Sequence, residues 1–135
     1  MPDLLLFVGG GKETVCALGK AKALGYKVCV TDGNENSPGI NWAKKHGHKW
    51  AIADTYNLDL TFDAVKNWHI SGVVAVACDV GPTVSHVSEK LKLNAIPFEL
   101  AILSWNKTKL KTFLNKNDKG ISMPQPFNIY SLGYC

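Results

Sequence analysis

The chain has 135 residues, of which 46% are hydrophobic and 19% charged, and its formal net charge is +4. This length is typical of one domain, and the apolar fraction excludes an intrinsically disordered chain. The apolar run nearest the start, residues 4–8, is far shorter than the roughly 20 residues of a membrane-spanning helix, and no basic flank precedes it as in a signal peptide. We therefore expect a cytoplasmic protein with no membrane partner.

The positive charge comes from lysine alone and is concentrated towards the C-terminus. All 15 basic side chains are Lys, and the absence of Arg argues against a sequence-specific nucleic-acid partner, because Arg is the usual bidentate reader of guanine. Residues 1–100 contain ten Lys and ten acidic residues, whereas residues 101–135 contain five Lys and one acid, Asp118. Such a basic segment is a solvated helix face, a phosphate-facing edge or a nucleic-acid patch, and the solvated face is the first expectation.

Apolar runs and helical periodicities alternate along the chain from its first residues. Apolar runs predict strands at residues 4–8, 26–30 and 72–78, and a short third strand is predicted at residues 49–53. The continuous run at residues 4–8 is typical of a strand buried on both faces of a parallel sheet. Helical spacing with stop signals predicts helices at residues 13–24, 40–46, 59–68, 82–91, 98–103 and 106–114. A further strand is predicted at residues 127–130.

Four strand–helix units in succession predict an α/β fold of three layers. We expect a doubly wound, Rossmann-like parallel sheet with strand order 3-2-1-4, helices on both faces and a C-terminal helical linker. Ligands of such sheets bind beyond the carboxyl ends of the strands, where the strand order reverses. This rule selects the loops at residues 9–12, 32–38, 54–56 and 78–82.

The first of these loops is a glycine-rich turn formed by Gly9, Gly10 and Gly11. Glycines let backbone N–H groups approach an anion at a helix N-terminus. A phosphate-binding P-loop is excluded, because Glu13 stands where Ser or Thr must face magnesium. Gly9 and Gly11 match two glycines of a dinucleotide fingerprint, and Asp32 follows at the distance of a ribose-binding acid. Thr14 replaces the third glycine, so a tight turn without a ligand is the alternative.

Three acidic residues, Asp32, Asp54 and Asp79, directly follow predicted strands. Carboxylates at one edge of a sheet are suited to binding a hydroxyl, an amine or a metal. The alternative is that they cap loops and helix N-termini, which Asp favours. No serine, histidine and acid are arranged as a catalytic set, and we predict no catalytic residue in this chain.

The four cysteines are Cys16, Cys29, Cys78 and Cys135. They form no zinc-binding spacing with one another or with the histidines, so we expect no metal site. The first three lie in apolar stretches and are predicted to be buried, reduced thiols. The tryptophans at positions 42, 50, 68 and 105 are predicted to be packing residues.

Several segments, in this order, carry a resemblance to a known family. They are residues 5–11, 21–26, 31–34 with 37–39, 70–74 with Asp79, 87–91, and 106–107 with Lys111 and residues 120–124. Together they cover about residues 4–130 and resemble the N-terminal domain of the ATP-grasp ligases. That family includes biotin carboxylase, the large subunit of carbamoyl-phosphate synthase and phosphoribosylamine–glycine ligase.

The resemblance implies a pre-ATP-grasp domain over residues 1–104 and the beginning of the ATP-grasp module over residues 105–135. It also implies a longer enzyme that joins a carboxylate to an amine or a thiol through an acyl phosphate, with ATP and magnesium as cofactors. Lys107 matches the lysine that contacts a nucleotide phosphate in relatives, whereas Asn106 stands where Asp is usual, after Trp105. The positions that face the other substrate or a phosphate in relatives are Gly9, Gly10, Gly11, Asp32 and Asp79.

On this interpretation the chain by itself binds no cofactor tightly and catalyses no reaction, because the metal-binding acids and most of the nucleotide pocket belong to the ATP-grasp module. The expected partners are a small carboxylate or amine, that module and a second copy in a homodimer. Two alternatives stay open. One is a stand-alone Rossmann-type NAD-binding module that uses Gly9, Gly11 and Asp32, and the other is an interaction module without an enzyme.

Overall fold

The computed structural model describes residues 3–117, and every structural statement below refers to them. The elements in chain order are β1 Leu4–Val8, α1 Lys12–Ala23, β2 Lys27–Asp32, α2 Pro38–His46, β3 Lys49–Ile52, α3 Leu58–Val65, β4 Gly72–Val74, α4 Gly81–Lys90, α5 Phe98–Trp105 and α6 Lys107–Asn117. The strand predicted at residues 127–130 lies outside the described residues. None of the helices from α1 to α6 combines the length and the apolar character that crossing a bilayer requires.

The four strands form one parallel sheet in the order β3-β2-β1-β4. Leu6 at the centre of β1 pairs with Cys29 of β2 on one side and with Val73 of β4 on the other. The predicted strand order is therefore confirmed. The order reverses between β1 and β4, which places the glycine turn that follows β1 at the switch point.

Two apolar clusters cover the two faces of the sheet, because alternate residues of a strand point to opposite sides. Leu6 and Val8 pack in one cluster with Val65 of α3 and Val87 of α4. The other cluster is built from Phe7, Leu18, Ala21, Val28, Val30, Ile40 and Ala43, which joins β1 and β2 to α1 and α2. The fold is therefore the three-layer arrangement that the strand–helix alternation predicts.

The strand β4 is shorter than its apolar run predicts. The run continues to Cys78, but β4 ends at Val74. Ala77 has a φ of +51°, a left-handed conformation that an extended strand cannot contain. The carbonyl of Val76 lies 3.5 Å from the hydroxyl of Thr14 in α1, so the chain turns away from the sheet here. This turn brings the residues after β4 to the switch point.

Two other predictions about side chains are wrong. Cys16 is exposed because it lies on α1 between the buried residues Thr14 and Leu18, two positions from each and hence on the opposite side of the helix. Trp50 and Trp105 are 40% and 49% exposed, so neither is a packing residue. Cys29 is buried as predicted, whereas Cys78 is only partly buried.

Thiol labelling is expected to separate the cysteines. Burial raises the pKa of Cys29 to about 12, which lowers its reactive thiolate fraction roughly a thousandfold below that of an ordinary thiol. We expect N-ethylmaleimide to modify Cys16 within minutes at pH 7.5 and Cys29 only after unfolding, as measured by mass spectrometry of peptides. The denatured chain is the control, in which both must react. Equal labelling of the two thiols in the folded chain would contradict the burial of Cys29.

Hydrogen exchange is expected to be fast in α6. This helix has no buried residue, so little apolar burial offsets an ordering entropy of about 1–2 kcal/mol per residue. We predict that residues 105–117 exchange at least about a hundredfold faster than Leu6 and Val8 in the central strand, as measured by mass spectrometry. The prediction extends to residues 118–124, outside the described range. Equal protection would make α6 part of the domain core and contradict a module boundary near residue 105.

Candidate functional site at the carboxyl edge of the sheet

Backbone hydrogen bonds hold the glycine turn on two sides. The amide of Gly9, at a φ of +93° that only glycine adopts readily, donates to the carbonyl of Thr31 at 2.8 Å. The amide of Gly10 donates to Oδ2 of Asp32 at 2.6 Å, and the carbonyl of Gly10 accepts from the amide of Gly39 at 2.7 Å. The turn is therefore clamped between the end of β2 and the start of α2.

Two backbone amides of the chain donate hydrogen bonds to the carboxylate of Asp32. Its Oδ2 accepts from Gly10, and its Oδ1 accepts from the amide of Asn34 at 2.7 Å. These two bonds fix the orientation of the carboxylate and join two of the predicted ligand loops. Asp32 thus positions the glycine turn, and its contact with a ligand stays a prediction.

The start of α2 fills the space above Gly10. A Cβ atom on Gly10 would lie 2.7 Å from Oγ of Ser37, and a Cβ atom on Gly39 would lie 2.7 Å from Cα of Gly10. In a dinucleotide-binding domain the ligand extends from the first helix N-terminus to the acid after the second strand. Here the chain lies across that path, which disfavours the NAD-binding alternative.

The N-terminus of α1 has no side-chain cap, because its N-cap residue is Gly11. The first amides of a helix have no partner within the helix and carry a partial positive charge, so they are suited to binding an anion. Lys12 and Glu13 are exposed on either side of this end. A carboxylate oxygen of Glu13 lies 3.6 Å from the Cβ position of Gly11, where its charge opposes an anion.

Buried threonine hydroxyls join the loops of this edge. Thr14 donates to the carbonyl of Gly9 at 3.0 Å, and Thr83 of α4 donates to the carbonyl of Thr55 at 2.7 Å. Thr61 of α3 donates to the loop after β3 in the same way. These contacts fix the loops before any ligand arrives. From sequence, Thr14 stood only where a third glycine was missing. Its position in the first turn of a helix after a strand-end loop was the available signal.

Cys78 lies where the predicted site residues converge. Its Sγ would be 3.0 Å from a Cβ atom on Gly9. Burial, together with the negative charges of Asp32 and Asp79, raises the pKa of Cys78. The structure thus brings Gly9, Asp32 and Asp79 around one thiol at the switch point, and that thiol is protonated at neutral pH. From sequence, Cys78 was predicted only to be a buried thiol, although it directly precedes Asp79.

Asp54 acts as a turn cap. Its Oδ1 accepts from the amide of Tyr56 at 3.0 Å, which is the alternative role considered for the strand-end acids. Asp79, in contrast, is exposed and lines a cavity of about 220 Å³ together with Tyr56 and Trp105. A second hollow of about 500 Å³ separates β4 from residues 94–96. A third cavity, of about 580 Å³, lies at the opposite, amino edge of the sheet.

Lys107 is exposed at the first position of α6. Asn106 accepts from the amide of Lys109 at 3.0 Å, a cap that Asn and Asp supply equally well, so the departure from Asp leaves the helix start intact. Trp105 precedes Asn106 and lines the cavity of Asp79, which places the start of α6 at the carboxyl edge. Contact of Lys107 with a nucleotide phosphate stays a prediction.

A metal ion does not fit the described residues. Between residues 3 and 117, no three His, Cys, Asp or Glu side chains lie close enough together to hold one. Asp32 and Asp79 lack a third acidic neighbour of that kind. We therefore derive no metal-dependent step from this part of the chain.

The chain shares its fold with parts of larger enzymes. Phosphoribosylglycinamide synthetase from Anaerococcus prevotii is 24% identical, with a TM-score of 0.73 over 86% of this chain and 29% of that enzyme. N5-carboxyaminoimidazole synthase from Aspergillus clavatus, in complex with ADP and 5-aminoimidazole ribonucleotide, is 19% identical, with a TM-score of 0.63 over 87% of this chain and 30% of that enzyme. Saccharopine dehydrogenase from Saccharomyces cerevisiae is 17% identical, with a TM-score of 0.56 over 75% of this chain and 24% of that enzyme.

No family model matches the sequence, and no curated protein matches it. The synthetase and the synthase are both ATP-grasp enzymes, and the chain spans less than a third of their length. The likeness to the dehydrogenase means that the fold alone leaves the reaction open. The predicted resemblance is nevertheless confirmed in the fold: this chain has the architecture that these two ATP-grasp ligases contain as part of a longer protein.

Proposed function

We propose that this chain is the N-terminal, substrate-binding part of an ATP-dependent carboxylate–amine or carboxylate–thiol ligase of the ATP-grasp type. The observation that carries the proposal is the uncapped N-terminus of α1 at the carboxyl edge, after the glycine turn that Asp32 holds. The fold shared with two such ligases supports it. Residues 1–104 form the pre-ATP-grasp domain, and residues 105–135 begin the module that follows.

Each group at the edge has a role in this proposal. The first amides of α1 bind the anionic group of a substrate, a carboxylate or a phosphate, because they supply unpaired donors and the positive end of the helix dipole. Asp79 accepts hydrogen bonds from an amine. Asp32 and the threonine hydroxyls position the loops, and Lys107 adds positive charge for a nucleotide phosphate.

The cofactors of the longer enzyme would be ATP and magnesium. The Aspergillus synthase binds ADP, and in an enzyme of this type ATP converts the carboxylate to an acyl phosphate. The residues described here lack a metal-binding group of acids, so their contribution is binding and orientation. The partners would be a small carboxylate or amine, the ATP-grasp module and a second copy in a homodimer, in the cytoplasm.

Nuclear magnetic resonance titration of the ¹⁵N-labelled chain tests the proposal. We expect inorganic phosphate to shift the amides of Gly11, Lys12 and Glu13 before any others. ATP and NAD should bind more weakly than about 1 mM, since one charge-assisted bond contributes about 1.5–3 kcal/mol and millimolar affinity needs about 4. Micromolar binding of NAD would instead establish the dinucleotide-binding alternative. Micromolar binding of ATP would reveal a complete nucleotide site in this chain.

Glu13→Gln is expected to tighten phosphate binding about two- to fivefold. The exposed carboxylate stands beside the helix N-terminus, where one charge changes the binding free energy by about 0.3–1 kcal/mol. The same titration measures the change. Glu99→Gln, on the first turn of α5, is the matched control and should leave the affinity unchanged. Equal affinities for Glu13→Gln and the wild type would place phosphate away from α1.

A further inference from the structure

The cavity beside Asp79 has an apolar base. It opens between the loop after β3, the first turn of α4 and the end of α5. Val80, which is 1% exposed, lies among its lining residues with Leu58, Pro82 and Ile102. A concave surface of this composition favours a ligand with an apolar part, because binding removes apolar surface of both the ligand and the cavity from water.

Two exposed aromatic side chains line the same cavity. Tyr56 is 62% exposed and Trp105 is 49% exposed. They belong to separate elements, the loop after β3 and the last position of α5. Their place at one cavity therefore depends on the fold and not on local sequence. Their ring faces attract flat groups by stacking and positive charges by the ring quadrupole. Both rings therefore favour a ligand that is flat, cationic or both.

The charge of the cavity favours a cationic ligand. Among the lining residues that the structure describes, Asp79 is the sole charged side chain, and no Lys or His accompanies it. Its carboxylate forms no hydrogen bond within residues 3–117, whereas the hydroxyl of Thr83 is used by the carbonyl of Thr55. The carboxylate of Asp79 thus sets the charge of the cavity, which attracts an ammonium group and repels a carboxylate or a phosphate.

We infer that this cavity binds a primary amine attached to a ring or a branched apolar group. The inference rests on the proposed function, since such a compound would be the amine substrate of the ligase. The volume of about 220 Å³ sets the size, because a cavity of about 150 Å³ is known to hold benzene. A ring with a short aminoalkyl arm fits, and a phosphorylated sugar does not fit the charge.

Three probes separate the two parts of the recognition. Phenethylamine has the ring and the ammonium group, 3-phenylpropionate has the ring with the opposite charge, and ethanolamine has the ammonium group without a ring. We expect phenethylamine to shift the amides of Tyr56, Val80 and Thr83 in the ¹⁵N spectrum and to bind at least about tenfold more tightly than either other probe. Equal binding of phenethylamine and 3-phenylpropionate would overturn the inference, and would indicate an apolar surface that another protein segment covers.

Variants identify the side chains responsible. Asp79→Asn should abolish the preference for the amine over the carboxylate probe, and Trp105→Leu should weaken phenethylamine at least about fivefold. Glu99→Gln removes a charge from α5 outside the cavity and should change neither result. An unaltered spectrum away from the cavity shows that each variant is folded. An Asp79→Asn variant that keeps the preference would overturn the inference.

The same spectra keep this inference apart from the proposed function. Phosphate reports on the amides of α1, and phenethylamine reports on the amides around Asp79. If phosphate binds at α1 and phenethylamine does not bind at the cavity, the amine assignment fails alone. If phosphate fails to bind at α1, the proposed function loses its carrying observation, whatever the amine does.

Discussion

Gly39→Ala is expected to lower the free energy of unfolding by about 2 kcal/mol. A Cβ atom at this position would lie 2.7 Å from Cα, 3.1 Å from the oxygen and 3.2 Å from the carbonyl carbon of Gly10. All three neighbours are backbone atoms of a turn that is already clamped by Asp32, so they cannot move aside as a flexible side chain would. Overpacking of this kind typically costs about 1–3 kcal/mol. Urea denaturation followed by circular dichroism measures the change.

Gly19→Ala is the matched control and should have the opposite sign. Gly19 lies inside α1, and apart from the backbone around it no atom of residues 3–117 lies within 4 Å of its Cβ position. Alanine there restricts the unfolded chain and favours the helix by about 0.5–1 kcal/mol. A Gly39→Ala variant as stable as the wild type would show that α2 does not pack on the glycine turn as described.

Thr14→Val is expected to destabilise the chain by about 1–2.5 kcal/mol and to weaken phosphate binding at α1. The side chain is fully buried, and its hydroxyl supplies the bond to the carbonyl of Gly9 and approaches that of Val76. Valine keeps the shape but leaves a buried carbonyl without this donor, which carries the desolvation penalty. Urea denaturation and the phosphate titration measure the two effects.

Thr31→Val is the matched control for Thr14→Val, since it removes a buried threonine hydroxyl that makes no hydrogen bond among the described residues. Thr31 is also fully buried, in β2, but its hydroxyl has no hydrogen-bond partner among the described residues. Removing an unsatisfied buried hydroxyl should raise the free energy of unfolding by about 1 kcal/mol, and valine suits a strand at least as well. If both variants shift stability in the same direction and by the same amount, the hydroxyl of Thr14 contributes nothing specific.

The fold could be predicted from the sequence because its signals are local. Strand β1 is an unbroken apolar run followed by Gly9, and β2 contains an apolar run and ends at Asp32. The helix between them shows its own periodicity and stop signal. The parallel order then follows from general rules for strand–helix units. The strand end that departs furthest from its prediction is that of β4, at Val74. It depends on the left-handed Ala77 and on the contact of Val76 with Thr14, which is remote in sequence and lies close only in the folded chain.

The site was predicted less completely for the same reason. The expectation that ligands bind at the carboxyl ends of the strands led to Asp32 and Asp79. It did not indicate that backbone amides of the chain already bind the carboxylate of Asp32. The cavity wall formed by Tyr56 and Trp105 joins two segments almost 50 positions apart. No local pattern encodes such a pairing, so Trp105 was wrongly predicted to be a packing residue, and Tyr56 was named only as part of the loop at residues 54–56.

The free side of β4 also has a consequence for handling the protein. Within the described residues β4 pairs only with β1, and a hollow separates its other side from residues 94–96. The unpaired amides and carbonyls on that side belong to Gly72, Val73 and Val74, none of which is charged. The other outer strand, β3, carries the charged residue Lys49, which protects it. An unprotected edge recruits extended segments of other molecules. Concentrated solutions would therefore aggregate through β4, and Val74→Lys would delay that aggregation.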